Sequence, residues 1–256
     1  MSKKEELLDK LKNEFKKRLP GNEELCRDVV EAVVEELGDP ARIKERFSEL
    51  VVGSEERVKE AYFAAEREAG SDALVRLFSA PQESHGHVDT EVLQRSLSRQ
   101  WHVLDRFFLS VAQGRKTRAG YAFEWILRAF FDSLGYPYDW QATINGKPDF
   151  VFPRQEHFKA EPTDAVVLTA KRTVRERWRQ IVTEGSKGYR FFLATIDPEV
   201  AISSIDEMLE NRIYLVAPRQ TAEGSYSRCR NVVSYEKFFE LYLDPAMERW
   251  RNKGVL

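Results

Sequence analysis

Asp149 and Lys171 hold the most chemistry in this chain. Asp149 closes Gly146-Lys147-Pro148-Asp149, and Lys171 closes Leu168-Thr169-Ala170-Lys171, 22 residues later (171 − 149). Each borders a short apolar run, so a carboxylate and a lysine would meet at the ends of adjacent strands. Many metal-dependent phosphodiester hydrolases begin their site this way, with a divalent ion that polarises a phosphoryl oxygen and acidifies a water. The usual arrangement has a second acid two residues before the lysine, where this chain has Thr169. Glu184, 13 residues beyond the lysine (184 − 171) on an expected helix, supplies the missing carboxylate. Mg²⁺ suits such a set, because it prefers oxygen ligands and takes only one or two carboxylates from a protein. Glu124, 25 residues before Asp149 (149 − 124), is a further candidate between Phe123 and Trp125. A carboxylate set among aromatics needs a partner, which a metal or an arginine would provide.

Each of these residues also has a plain structural reading. Pro-Asp pairs are common in turns, a lysine that ends a strand is ordinarily solvated, and Glu184 beside Gly185 reads as a helix-end surface residue. Their order on strand, strand and helix favours the site. Arg172-Thr173-Val174-Arg175-Glu176-Arg177-Trp178 adds a second kind of chemistry. Its bland form is a solvated first turn, but arginines at a helix start oppose the helix dipole unless an anionic or acceptor-rich ligand faces them. Arginine forks onto guanine O6 and N7, and glutamate accepts from cytosine N4. Arg175, Glu176 and Arg177 therefore carry the groups to read a G·C-rich duplex. Arg115, Lys116 and Arg118, in Gln113-Gly114-Arg115-Lys116-Thr117-Arg118, together with Arg172, are the expected backbone-phosphate contacts.

These side chains need a scaffold, and the apolar pattern describes one. Leu7, Leu8, Leu11 and Phe15 recur at helical spacing up to Pro20-Gly21-Asn22, and Leu25, Val29, Val30, Val33, Val34 and Leu37 form a second stripe that stops at Gly38-Asp39-Pro40. Helices follow over 40–50 and 54–69, and Ala80 to His87 reads as a linker. A helix from Thr90 to Val111 closes at the Gln113–Arg118 loop, and another runs from Ala119 to Leu134. Strands are expected at 140–144, 150–152, 165–170, 189–194 and 213–217, with helices at 174–184, 202–211 and 235–243. Strands alternating with helices after a helical start give an α/β fold, a central mixed sheet flanked by helices on both faces.

Composition narrows the class. The chain has 256 residues, 42% hydrophobic and 32% charged, enough for a core and typical of a soluble protein. It lacks a run of 18 apolar residues and an apolar leader, which points to the cytoplasm and away from a membrane. Two cysteines, Cys26 and Cys229, do not make a disulfide scaffold or a zinc site. Net charge is −2, unevenly spread. Residues 1–100 hold 17 Lys+Arg against 22 Asp+Glu, whereas residues 101–192 hold 15 against 10. The basic middle segment, where the candidate site lies, suits an anionic partner such as a phosphate backbone.

The segments Arg118–Glu124, Lys147–Pro153, Leu168–Thr173, Arg175–Gln180, Glu184 and Glu210–Pro218 together resemble the EcoRII catalytic-domain family of type II restriction endonucleases, in the branch that recognises CCGG, CCNGG or CCWGG sites. The resemblance covers roughly residues 105–220 and includes the displaced acid. It implies a restriction-endonuclease-like PD-(D/E)XK core over 89–256 and a helical region over 1–88 that serves DNA contacts, in the minor groove, or dimerisation. It further implies Asp149 and Glu184 as metal ligands, Lys171 as the catalytic lysine, Glu124 as an auxiliary acid, and Arg175, Glu176 and Arg177 as the readers of CC/GG. The implied activity is Mg²⁺-dependent double-strand cleavage by a homodimer, with flipping of central nucleotides in some relatives. A cognate DNA methyltransferase belongs to the same system without being a physical partner. A structure-specific or repair nuclease of the same core, and a silent DNA-binding protein on that scaffold, are the alternatives.

Overall fold

A computed structural model of the chain describes residues 3–78, 90–144, 147–174 and 191–256. By its internal contacts the chain divides into two units, Met1–Leu25 with Arg57–Ala119, and Cys26–Glu56 with Gly120–Leu256. This grouping cuts within helices and differs from a division at residue 88. The expected linker, Ala80 to His87, lies outside the described residues.

The first unit is helical in its described residues. Helix α1 (Lys3–Lys17) has Glu5 and Glu6 in its first turn and Lys16 and Lys17 in its last, charges that suit the helix dipole. Its Leu8, Leu11 and Phe15 pack against Ala69 and Ala73 of α4 (Phe47–Phe78) and against Val103, Phe107 and Val111 of α5 (Thr90–Ser133). Phe15 meets Phe107 edge-on at 5.4 Å. Helix α5 corrects one expectation, because it runs unbroken through Gln113–Arg118. Gly114 is the only helix-weak residue of strong effect there, and a single interior glycine costs about 1 kcal/mol against alanine. Tertiary bonds offset that cost. Arg115 Nε donates to both oxygens of the buried Glu66 at 2.9 Å, and the Arg118 guanidinium lies 4.8 Å from the Tyr62 ring centroid.

In the second unit, α2 (Asn22–Leu37) buries Cys26, Val30 and Val33. It ends where Gly38 adopts φ +63°, a conformation that costs glycine little. Asp39 then caps α3 (Pro40–Glu45) by accepting from Ala41 N at 2.9 Å, with proline in the first turn. The far end of α5 closes in the same manner. Gly135 takes φ +71° and Tyr136 N donates to Phe131 O at 3.0 Å, a Schellman closure at the predicted stop.

The described strands form one mixed sheet in the order β1 (Asp139–Trp140), β2 (Phe150–Phe152), β3 (Val166–Ala170), β4 (Phe191–Ala194), β5 (Ile213–Ala217), β6 (Val232–Ser234). The first three pair antiparallel and the last four parallel. Side chains alternate across it. Val167, Leu193, Ile213 and Leu215 face α7 (Ile202–Glu210), packing with Ile205 and Met208. On the other face Phe131 of α5 meets Phe150 at 5.0 Å and Phe152 at 5.3 Å, both edge-on. There Phe192 meets Phe238 and Tyr242. Helices thus cover both faces, as the pattern predicts.

Strand β1 is shorter than expected because Gln141 turns to φ 48° and ends the extension. The expected helix over 174–184 lies almost wholly outside the described residues. Three short elements escape the sequence reading: α6 (Gln155–Ala160), α8 (Arg219–Glu223) and β6, each too brief to show a period. The single helix expected over 235–243 is α9 (Tyr235–Phe238) followed by a π-helical turn (Phe239–Leu243), and α10 (Asp244–Asn252) continues beyond the expected range.

Candidate active site

Register places Asp149. Phe150 pairs with Leu168 and Val151 with Val167, so one step outward Asp149 stands opposite Thr169 with both side chains on one face. The backbone there is held on its other edge, where Gln141 N donates to Asp149 O at 2.9 Å. The Asp149 carboxylate is 7% exposed and accepts from Thr169 Oγ1 at 2.6 Å and from Ala170 N at 2.8 Å. Lys171, two residues beyond Thr169, emerges on the same side, and its Nζ reaches Asp149 Oδ2 at 3.3 Å. Its backbone N donates to Ala194 O at 2.9 Å and carries the parallel ladder past the end of β3.

Glu124 joins them from α5, with Oε1 3.7 Å from Lys171 Nζ. Burial pushes its carboxyl up to about 7, and the Asp149 charge adds to that shift while Lys171 opposes it. Three of the four predicted catalytic residues therefore converge, from a strand start, a strand end and a helix separated in sequence by up to 47 residues (171 − 124). Glu184 and the base-reading residues Arg175, Glu176 and Arg177 lie outside the described residues. A hard divalent cation fits what is described: the donors are carboxylate oxygens, and Asp149 Oδ1 accepts no hydrogen bond from the described residues.

The predicted phosphate contacts have other company. Arg115 and Arg118 lie on α5 rather than in a loop, and each has partners in its own unit. Arg115 pairs with Glu66, and Arg118 Nη1 donates to Pro20 O at 3.0 Å. Lys116 is exposed. Arg172 Nε donates to Glu55 Oε1 of α4 at 2.6 Å. Sequence reasoning missed Glu55, which lies 117 residues from its partner and carries no local signal. It also missed the pair that receives the chain beyond β3: Thr195 Oγ1 donates to Arg172 O at 3.2 Å, and Val174 N donates to Asp197 Oδ2 at 3.0 Å.

A second acidic cluster, His157, Glu161 and Asp164, has ligand atoms within 4.8 Å of one another. Its charges are already met. Lys253 Nζ reaches Glu161 at 2.8 Å and Asp164 at 3.1 Å, and Arg249 Nε reaches Asp164 at 3.1 Å. Trp250 Nε1 donates to Asp164 O at 3.2 Å, so the cluster fastens α10 to the turn after α6. Among the described residues no helix is long and apolar enough to cross a membrane.

The chain resembles known proteins in sequence and in fold. The type II restriction enzyme SsoII of Shigella sonnei is 30% identical over 166 residues, 59% of this chain and 53% of that protein. The type II restriction enzyme EcoRII of Escherichia coli is 35% identical over 115 residues, 43% of this chain and 28% of that protein. The chain thus spans about half or less of the length of these curated relatives. Among solved structures, metal-depleted Ecl18kI in complex with uncleaved DNA superposes with a TM-score of 0.81 at 21% identity, covering 98% of this chain and 86% of that one. The restriction endonuclease PspGI–substrate DNA complex gives 0.60 at 21% identity, covering 87% and 92%. The fold is that of the restriction endonucleases, a mixed sheet between helices with a helical N-terminal region. Residues 85–239, more than half of the chain, match the family described as EcoRII C terminal, and to that family the chain belongs.

Proposed function

We propose that this chain is a type II restriction endonuclease that cuts both strands of DNA, with Mg²⁺ as its metal, at a short near-palindromic site containing CC/GG. The observation that carries the reading is the meeting of Asp149, Lys171 and Glu124 at adjacent strand ends in a member of this family. Its partners in this reading are double-stranded DNA and a second copy of the chain. One chain holds one Asp149–Lys171 pair, so two copies supply the two cuts. It would work in the cytoplasm beside a cognate DNA methyltransferase.

Asp149 and Glu184 would hold the metal, which when bound polarises the phosphodiester and lowers the pKa of the attacking water. Lys171 Nζ lies 3.3 Å from the Asp149 carboxylate and 3.7 Å from that of Glu124, and would face the charge that builds on a cleaved phosphate. In the metal-free chain burial raises the Glu124 carboxyl to about 7, and a cation bound beside it would favour the carboxylate that can accept a proton. Arg175, Glu176 and Arg177 would read the CC/GG pairs. Lys116 and the outer nitrogens of Arg172 are the readiest contacts for backbone phosphates, whereas Arg115 and Arg118 would first have to leave Glu66 and Pro20. Flipping of the central nucleotides would follow from the same reading.

Incubation with plasmid DNA and Mg²⁺ tests the proposal. Discrete fragments with common ends are expected, and sequencing those ends gives the site. Random nicking would mean a nonspecific or repair nuclease, and no cutting a silent DNA-binding protein. Asp149→Ala should abolish cleavage while keeping specific binding.

A further inference from the structure

The two oxygens of Asp149 are used unequally. Oδ2 accepts from Thr169 Oγ1 at 2.6 Å, from Ala170 N at 2.8 Å and from Lys171 Nζ at 3.3 Å, whereas Oδ1 accepts from none of the described residues. A carboxylate offers about two lone-pair sites per oxygen. Three donors therefore fill Oδ2 and leave Oδ1 with its electron pairs unengaged.

We propose that Thr169 is a positioning residue whose hydroxyl fixes the Asp149 carboxylate and reserves Oδ1 as the single oxygen offered to a divalent cation. Thr169 is 3% exposed and stands opposite Asp149 by strand register, so its hydroxyl has a fixed acceptor. A β-branched side chain is also stiff at χ1, which keeps Oγ1 aimed. Thr169 occupies the position where the usual arrangement has its second acid, and here the position must donate. With a hydroxyl donating to Asp149 Oδ2 at 2.6 Å, this position offers no carboxylate to a cation, and a second acid comes from elsewhere in the chain. The inference rests on the metal-dependent nuclease reading.

Mn²⁺ alone, titrated against the whole protein and followed by electron paramagnetic resonance of the free ion, tests it without cleavage. Asp149→Asn defines the signal that belongs to this site. Thr169→Val keeps the branched shape and loses the donor. It should weaken Asp149-dependent Mn²⁺ binding about 10–100-fold, the usual effect of removing a residue that orients a ligand. Thr169→Ser restores the donor and should restore the affinity, and Thr169→Ala is the second donor-free variant should valine not fold. Valine and wild type binding Mn²⁺ alike would overturn the proposal. So would serine binding as weakly as valine, since shape rather than the hydroxyl would then matter, and so would wild-type binding that ignores Asp149→Asn. Should the valine variant lose Mn²⁺ while the wild type leaves plasmid uncut, the endonuclease reading falls and the role of Thr169 stands.

Discussion

Glu124→Gln in the metal-free protein should remove a pH dependence of stability confined to a defined window. The Glu124 carboxyl is raised from the ordinary 4.5 to about 7, first by burial and then by the Asp149 charge, with Lys171 opposing. The folded chain therefore binds this proton more tightly than the unfolded chain. Between pH 4.5 and 7 it carries more protons here, so stability falls as pH rises through that window and the full cost is present above 7. A pKa difference of 2.5 (7 − 4.5) corresponds to on the order of 3 kcal/mol at about 1.4 kcal/mol per decade. The Glu124 side chain is only 13% exposed, so solvent screens little of that cost. Glutamine keeps the shape and removes the titration. Unfolding by heat or urea across pH 4–8 should show the variant near wild type at the acid end. It should then gain progressively to on the order of 3 kcal/mol, or roughly 6–12 °C in Tm for a chain of this size. A stability difference that stays flat with pH, or a wild type that gains on the variant as pH rises, would refute the reasoning. Lys171, not burial, would then dominate Glu124.

Other perturbations separate the remaining contributions. Lys171→Met removes a group that lowers Glu124, so a carbon-13 titration of its carboxyl should move above 7, and a downward move would show that Lys171 is not its neighbour. Gly114→Ala meets no atom within 4 Å of the added carbon and sits inside α5, so it should stabilise by about 0.5–1 kcal/mol. A loss in thermal melts would instead favour a break in that helix. Phe131→Ala empties the contact with Phe150 and Phe152 and should cost about 3–5 kcal/mol in denaturant unfolding. A cost below about 1 kcal/mol, the scale of surface changes, would mean that this face of the sheet is not a packed core.

The legible parts of the fold are those with a period or a punctuating residue. Val166–Ala170 and Ile213–Ala217 are continuous apolar runs and read as buried strands. Gly38 and Gly135 stop helices where only the left-handed conformation continues the chain. Gln113–Arg118 misled because its polar residues and single glycine look like a loop, while the bonds that keep it helical come from Glu66, Tyr62 and Pro20, far off in sequence. The site was legible for a different reason. Asp149 and Lys171 mark the ends of two runs that pair directly, and Glu124 betrayed itself as an acid between aromatics. Glu55 and Asp197 were not legible, since each acts on the segment after Lys171 from an element with no shared pattern.

Core packing and the site are one constraint in this fold. On β3, Leu168 shares the sheet face of Phe150 and Phe192, its register partners, while Val167 packs with α7 and Thr169 follows on that side to meet Asp149. Side chains have a period of two, so a slip of one residue between β2 and β3 would turn Thr169 and Lys171 away from Asp149. The same slip would bring Thr169 under the aromatic face, where its hydroxyl loses its acceptor. It would also carry Leu168 out of that core, at a cost of the order of burying a leucine, about 1.5–3 kcal/mol. Selection for a packed sheet thus holds the Asp149–Lys171 approach to a single register. This also accounts for the fact that the apolar residues Phe150-Val151-Phe152 and Val166-Val167-Leu168 were better guides to the site than its own charged residues.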